Sequence, residues 1–176
     1  KGIGFDPSHP GGTEGPITYI ADYHSEKYSH IHPDFICARH VLEHIPDPVV
    51  FTRSVLRRLQ CVPDPRIYFE VPNSLYTLRD LGTWDLIYEH CGYYSPLSLR
   101  ALFERVGCVV QRCAEDYDGQ FIGLDAALGH SSVDSLSNSD ETRGRIDEYA
   151  RGLREAYTRR VAHWKKRLSV CAANGT

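Results

Sequence analysis

Two acidic residues stand where apolar runs stop. Gly2-Ile3-Gly4-Phe5 reads as a short strand that ends in Asp6 and is halted by Pro7-Ser8. A carboxylate at the carboxyl edge of a sheet can accept hydrogen bonds from both vicinal hydroxyls of a ribose, which makes Asp6 a candidate binding residue. The competing role is a turn or capping Asp. Ile17–Ala21 is β-branched and aromatic, and it closes in Asp22-Tyr23. A carboxylate there can accept from an adenine amino group while the Tyr23 ring covers the base; the plainer alternative is a turn Asp beside a half-buried Tyr. Further along, Glu89 and His90 are adjacent. Imidazole has an ordinary pKa of ~6.5, close to working pH, and a neighbouring carboxylate can orient it as a general base. The same pair can instead close the mouth of a fold through hydrogen bonds. His40 and His44 have i, i+4 spacing, but no cysteine or third ligand stands near them in sequence, so no metal is assigned. His44 reads as a structural histidine that ties a loop.

The elements that must position these residues alternate between short apolar runs and helical patterns, the rhythm of an α/β fold with crossover helices. Strands are expected at 2–6, 17–21, 34–38 and 66–71, the third fully apolar and therefore buried on both faces. Residues 9–16, rich in Gly and Pro, are expected to be irregular. A helix from Asp47 to Leu59 has Pro48 at its first position and Val50, Val55 and Leu59 inward. Another from Ser95 to Val106 has a Ser cap and ends at Gly107. Cys108–Tyr117 and Gln120–Leu128 form a hairpin around Asp118-Gly119, the dipeptide preferred by two-residue turns. The expected organisation is a core at 1–128, a polar linker at 129–140 and a long amphipathic helix within 141–176, capped by Asn174-Gly175. Ile146, Tyr149, Leu153, Tyr157, Val161, Trp164 and Leu168 recur along it at steps of three and four, a stripe that needs a partner: this domain's own flank, a second copy or a following domain.

Composition narrows the function. No apolar run approaches the ~18–20 residues of a bilayer span. The net charge is −3. Residues 141–167 hold nine basic against four acidic side chains, leaving eleven against nineteen elsewhere. An acidic globular part argues against a nucleic-acid-binding core, and the basic residues alternate with apolar ones as on a solvated helix face. Six scattered cysteines without a CxxC pair point to reduced, mostly buried thiols in a cytoplasmic protein. Methionine is absent, which is expected if the chain begins inside a longer protein.

Four runs carry a resemblance: GIGFDPS at 2–8, CARHVLEHIPDP at 37–48, YFEVPN at 68–73 and WDLIYEHCGYYSPLSL at 84–99. Together they resemble class I S-adenosylmethionine-dependent methyltransferases, more narrowly the branch with sugar C-methyltransferases. The resemblance implies a Rossmann-like sheet, mostly parallel with a C-terminal antiparallel hairpin, and S-adenosylmethionine as cofactor. By the same resemblance Asp6 binds the ribose and Asp22 with Tyr23 the adenine. Arg39 and His40 face the reacting carbon with Tyr88 among the acceptor-binding residues, His90 is the base and Glu89 orients it. The related enzymes carry Tyr-His-Glu-His where this chain has Ile87-Tyr88-Glu89-His90, so the aromatic hydroxyl is displaced by one position. The family's first strand and glycine-rich loop have no counterpart here, which predicts an internal fragment and a sheet divided where that strand would join its halves. The implied activity is methyl transfer to a small-molecule acceptor, with neither nucleic acid nor membrane as partner. O- or N-methylation on the same fold, or a non-catalytic Rossmann-like interaction module, are the other readings.

Overall fold

The computed structural model describes residues 1–129 and 139–173. Most of the expected linker, and the Asn174-Gly175 cap, lie outside the described residues.

The strands fall into two mixed sheets. In the first, β1 (Gly2–Phe5) runs parallel to β3 (Ile17–Ile20), with Phe5 opposite Ile20, and β2 (Gly12–Glu14) lies antiparallel on the other side of β3. The irregular stretch expected at 9–16 is thus corrected: Thr13 and Glu14 pair with Thr18 and Ile17. Gly11 and Gly15, at φ +82° and +58°, bend the chain on either side, so the glycines shape the ends of a short strand instead of abolishing it.

The second sheet has the order β4-β5-β7-β6. β4 (Phe35–Arg39) and β5 (Arg66–Pro72) are parallel. β6 (Cys108–Asp116) and β7 (Phe121–Leu128) are antiparallel to each other, and β7 is antiparallel to β5. Parallel pairing is therefore confined to β1–β3 and β4–β5, and the mostly parallel sheet expected from the sequence is replaced by two mixed ones. The reason is the hairpin: β7, on returning, inserts between β6 and β5 and reverses the direction of the pairing. Among the described residues no strand joins β1 or β3 to β4. The hairpin loop has four residues, with Tyr117, Asp118 and Gly119 all at positive φ, because Asp116 pairs with Phe121.

β4 was expected to be buried on both faces, yet it alternates between exposed and half-buried, and Phe35 is 52% exposed. It is the edge strand, so its side chains lack one set of neighbours. The apolar centre lies instead under β5, β7 and β6. Phe69 meets Phe103 edge to face at 4.8 Å, with Ile67, Val71, Leu99, Ile122 and Leu124 around them. Each such side chain contributes about 1.5–3 kcal/mol when fully buried.

α1 (Pro48–Leu56) begins at Asp47, whose carboxylate accepts from the Val50 amide at 3.0 Å. Val55 and Leu59 are buried as expected, but Val50 is 62% exposed. At ~100° per residue, Val50 points about 140° away from Val55. α2 (Ser74–Asp80), which the sequence reading missed, is capped by the Asn73 side chain, accepting from Leu75 N at 3.0 Å. α3 (Pro96–Arg105) opens with a Ser95–Ser98 capping box and is followed by Gly107 at φ +98°. α4 (Ser139–Ala173) packs against α2. Ile146, Tyr149, Leu153 and Val161 are half-buried, whereas Tyr157, Trp164 and Leu168 are exposed. No helix among the described residues is long and apolar enough to cross a membrane.

Candidate active site

Parallel pairing of β4 with β5 sets Arg39 opposite Glu70. Glu70 is almost fully buried, and its carboxylate is ringed by donors. Oε1 accepts from Arg39 Nε at 2.9 Å and lies 3.2 Å from His40 Nε2, while Oε2 accepts from the Tyr68 hydroxyl at 2.9 Å. These partners are what permit a carboxylate inside a sheet. Burial, reinforced by the bond to Glu70, pushes the Tyr68 phenol up to about 12. His40 follows at φ +53°, a left-handed conformation that costs a non-glycine residue about 1 kcal/mol or more. Its amide donates to Glu70 O at 3.0 Å, and its ring lies between Glu70 and Glu43, with Nδ1 3.5 Å from Glu43 Oε1. Phe121 packs edge-on at 4.7 Å.

A one-turn 3-10 helix at Leu42–His44 and the loop at 85–93 adjoin this cluster. The Glu43 carbonyl accepts from Cys91 N at 2.7 Å and Gly92 N at 2.9 Å, pinning loop to turn. Glu43 is 1% exposed, and its Oε2 finds no partner among the described residues. His44 Nδ1 donates to Glu89 O at 3.0 Å, His90 Nδ1 donates to Asp85 O at 2.8 Å, and the two rings meet edge to face at 4.9 Å. A carbonyl only accepts, so both rings carry hydrogen on Nδ1 and, when neutral, present a lone pair on Nε2. Burial raises the Asp85 carboxyl above its ordinary range.

The first sheet holds the other sequence candidates. Asp6 stands exposed at the end of β1, with Oδ1 accepting from Ser8 N at 2.8 Å. Asp22 ends β3 and is already engaged by Tyr28 OH at 2.6 Å, Lys27 Nζ at 2.9 Å and Tyr23 N at 2.8 Å. These bonds, the Tyr28 hydroxyl first, hold its carboxyl down to about 2. Tyr23 is 73% exposed, with a ring face free for stacking. Arg58, in the 3-10 turn Arg57–Leu59 that follows α1, ties this region to that helix by donating to Glu26 at 2.7 Å.

The structure therefore joins Arg39 and His40 on Glu70 and sets His90 against His44, the two groups linked through Glu43. Tyr88 is 99% exposed. Glu89 meets His44 through its backbone carbonyl, and the atom holding His90 is the Asp85 carbonyl, not the Glu89 carboxylate. Sequence reasoning passed over Glu43, Tyr68, Glu70 and Asp85 as site residues. A carboxylate within the apolar run Ile67–Val71 was the available signal for Glu70; Asp85 had none.

A family model described as "Methyltransferase domain" matches residues 1–112. No curated protein matches the chain. The matched stretch runs from β1 into β6 and takes in both strand-end aspartates, the Arg39–Glu70 pair and the His44–His90 contact. With well over half its length matched, the chain belongs to the methyltransferase domain family.

Proposed function

We propose that this chain transfers a methyl group from S-adenosylmethionine to carbon of a small molecule, a nucleotide-linked sugar or related intermediate, with His90 as general base. The observation that carries the reading is the bond from His90 Nδ1 to Asp85 O, which leaves Nε2 as a lone-pair donor. S-adenosylmethionine, when bound, supplies an electrophilic methyl carbon. Asp6 has an unengaged Oδ2 at the end of β1 and suits the ribose hydroxyls; the exposed Tyr23 ring suits the adenine face. Asp22, already held by three donors, supports the loop that carries Tyr23.

His90 Nε2 takes the proton from a carbon beside a carbonyl and leaves an enolate as the nucleophile. Arg39 gives Glu70 part of its five-donor fork, and its remaining N–H groups face the acceptor with His40. The sugar C-methyltransferase branch is supported by the Tyr88-Glu89-His90 run, whose His90 meets His44 although Tyr88 points outward. The test is His90→Ala. Turnover falls by roughly 10²–10⁴ while cofactor affinity holds. An unchanged rate per folded molecule would instead favour O- or N-methylation by alignment alone.

A further inference from the structure

We propose that Glu43, His44 and His90 form a binding site for one divalent transition-metal ion of the zinc type. One ligand atom from each lies within 4.8 Å of the other two. The sequence offers Glu43 and His44 as neighbours but hides the third ligand, which arrives from a loop more than forty residues away.

Two independent observations point to an ion. The first is Glu43 Oε2, buried and without a partner among the described residues, which is a costly arrangement for a polar atom unless a ligand meets it. The second is the state of both histidines. Each donates Nδ1–H to a backbone carbonyl, His44 to Glu89 O and His90 to Asp85 O, and each presents Nε2. That outer bond is the usual companion of a metal-bound imidazole, because it fixes the tautomer and the ring plane.

Geometry and chemistry select the ion. In a tetrahedral zinc site, ligand atoms with bonds of ~2.0–2.1 Å sit about 3.3 Å apart, so these side chains must close by about 1.5 Å or less. His44 is exposed, so no packed neighbour blocks that small closure, and the loop that carries Glu89 O moves with it. Two imidazoles and one carboxylate favour Zn²⁺ over Mg²⁺ or Ca²⁺, which prefer all-oxygen shells. Three protein ligands leave the fourth position to water or substrate. The frame is already built, since the Glu43 carbonyl holds Cys91 N and Gly92 N and so links the two ligand-bearing segments.

One consequence rests on the base assignment above. An ion on His90 Nε2 occupies the lone pair that would take the proton, so Zn²⁺ binding and base catalysis exclude each other. The ion would then act as an inhibitor of turnover.

The experiment is titration of the metal-free chain with Co²⁺, followed by its visible absorption, and with Zn²⁺ by calorimetry. The expected result is one ion per chain, no competition from Mg²⁺, and affinity lowered more than about 100-fold in His44→Ala and in Glu43→Gln. Far-UV circular dichroism checks each fold; His44, being exposed, is the safer variant. Absent binding overturns the site, as does affinity unaltered in His44→Ala. An intense near-ultraviolet thiolate-to-cobalt band also overturns it, since it would move the ion to a cysteine. If Zn²⁺ binds as described and turnover is unaffected, the site stands and His90 is not the base; if no ion binds, the base assignment is untouched.

Discussion

His90 Nδ1 lies 2.8 Å from the carbonyl oxygen of Asp85, so the ring is held by main chain. The Glu89 carboxylate, adjacent in sequence, faces solvent. Glu89→Gln therefore lowers kcat by no more than about threefold, whereas His90→Ala removes the proton acceptor altogether. Steady-state kinetics on both variants, with S-adenosylhomocysteine calorimetry as the folding and binding control, checks the contrast. A loss in Glu89→Gln comparable to that in His90→Ala would return orientation to the Glu89 side chain.

Asp6→Ala weakens S-adenosylhomocysteine binding by about 2–3 kcal/mol, the worth of a charged acceptor that meets two hydroxyls. Among the described residues its carboxylate makes one hydrogen bond, the local one from Ser8 N, so the thermal midpoint changes little. Calorimetry and a melting curve on the same sample separate the two effects. An unchanged dissociation constant removes Asp6 from the site.

Asp22 behaves in the opposite way. Its carboxyl is held at about 2 in the fold against an ordinary 3.8. The folded state therefore binds this proton less tightly than the unfolded chain does. Stability from Asp22 is present above about pH 5 and drains away as pH falls toward 2. Urea midpoints of the native chain and of Asp22→Asn should converge over that window and stay apart at neutral pH. A constant gap down to about pH 2 would show that the Tyr28 and Lys27 bonds do not depend on the charge.

Among the described residues none of the six cysteines is joined in a disulfide. Cys37, Cys61, Cys91 and Cys171 are exposed, contrary to the mostly buried thiols the composition suggested. Cys108 is buried and Cys113 half-buried, and desolvation pushes their thiols up to about 12 and about 11. A disulfide reagent at neutral pH should label four thiols in the native chain, Cys37 slowest among them because partial burial raises its thiol too. All six react after denaturation. Rapid native labelling of Cys108 would mean that β6 opens.

What the sequence disclosed, and what it withheld, divides along physical lines. Short apolar runs disclosed β1, β3 and β5, and Asp47, Ser95 and Gly107 disclosed helix ends, because each signal acts within a few residues. α2 escaped because it is seven residues long and starts directly after the strand-ending Pro72-Asn73. The direction of β7 against β5 escaped because it depends on sheet order, not on local preference. The meeting of Glu43, His44 and His90 is a long-range contact with no local trace, and the tautomer of His90 is set by a carbonyl that every residue type possesses.

The use of carbonyls from Glu43, Asp85 and Glu89 to fix the loop and both rings bears on how such a site can diverge. Side chains at 88 and 89 can be exchanged during evolution without disturbing the pose of His90, since neither of them holds it. Acceptor preference can then drift through these outward positions, Tyr88 foremost, while the reacting group stays in register. A library randomised at 86–89 and selected on new acceptors would sample that freedom with the catalytic geometry carried along unaltered.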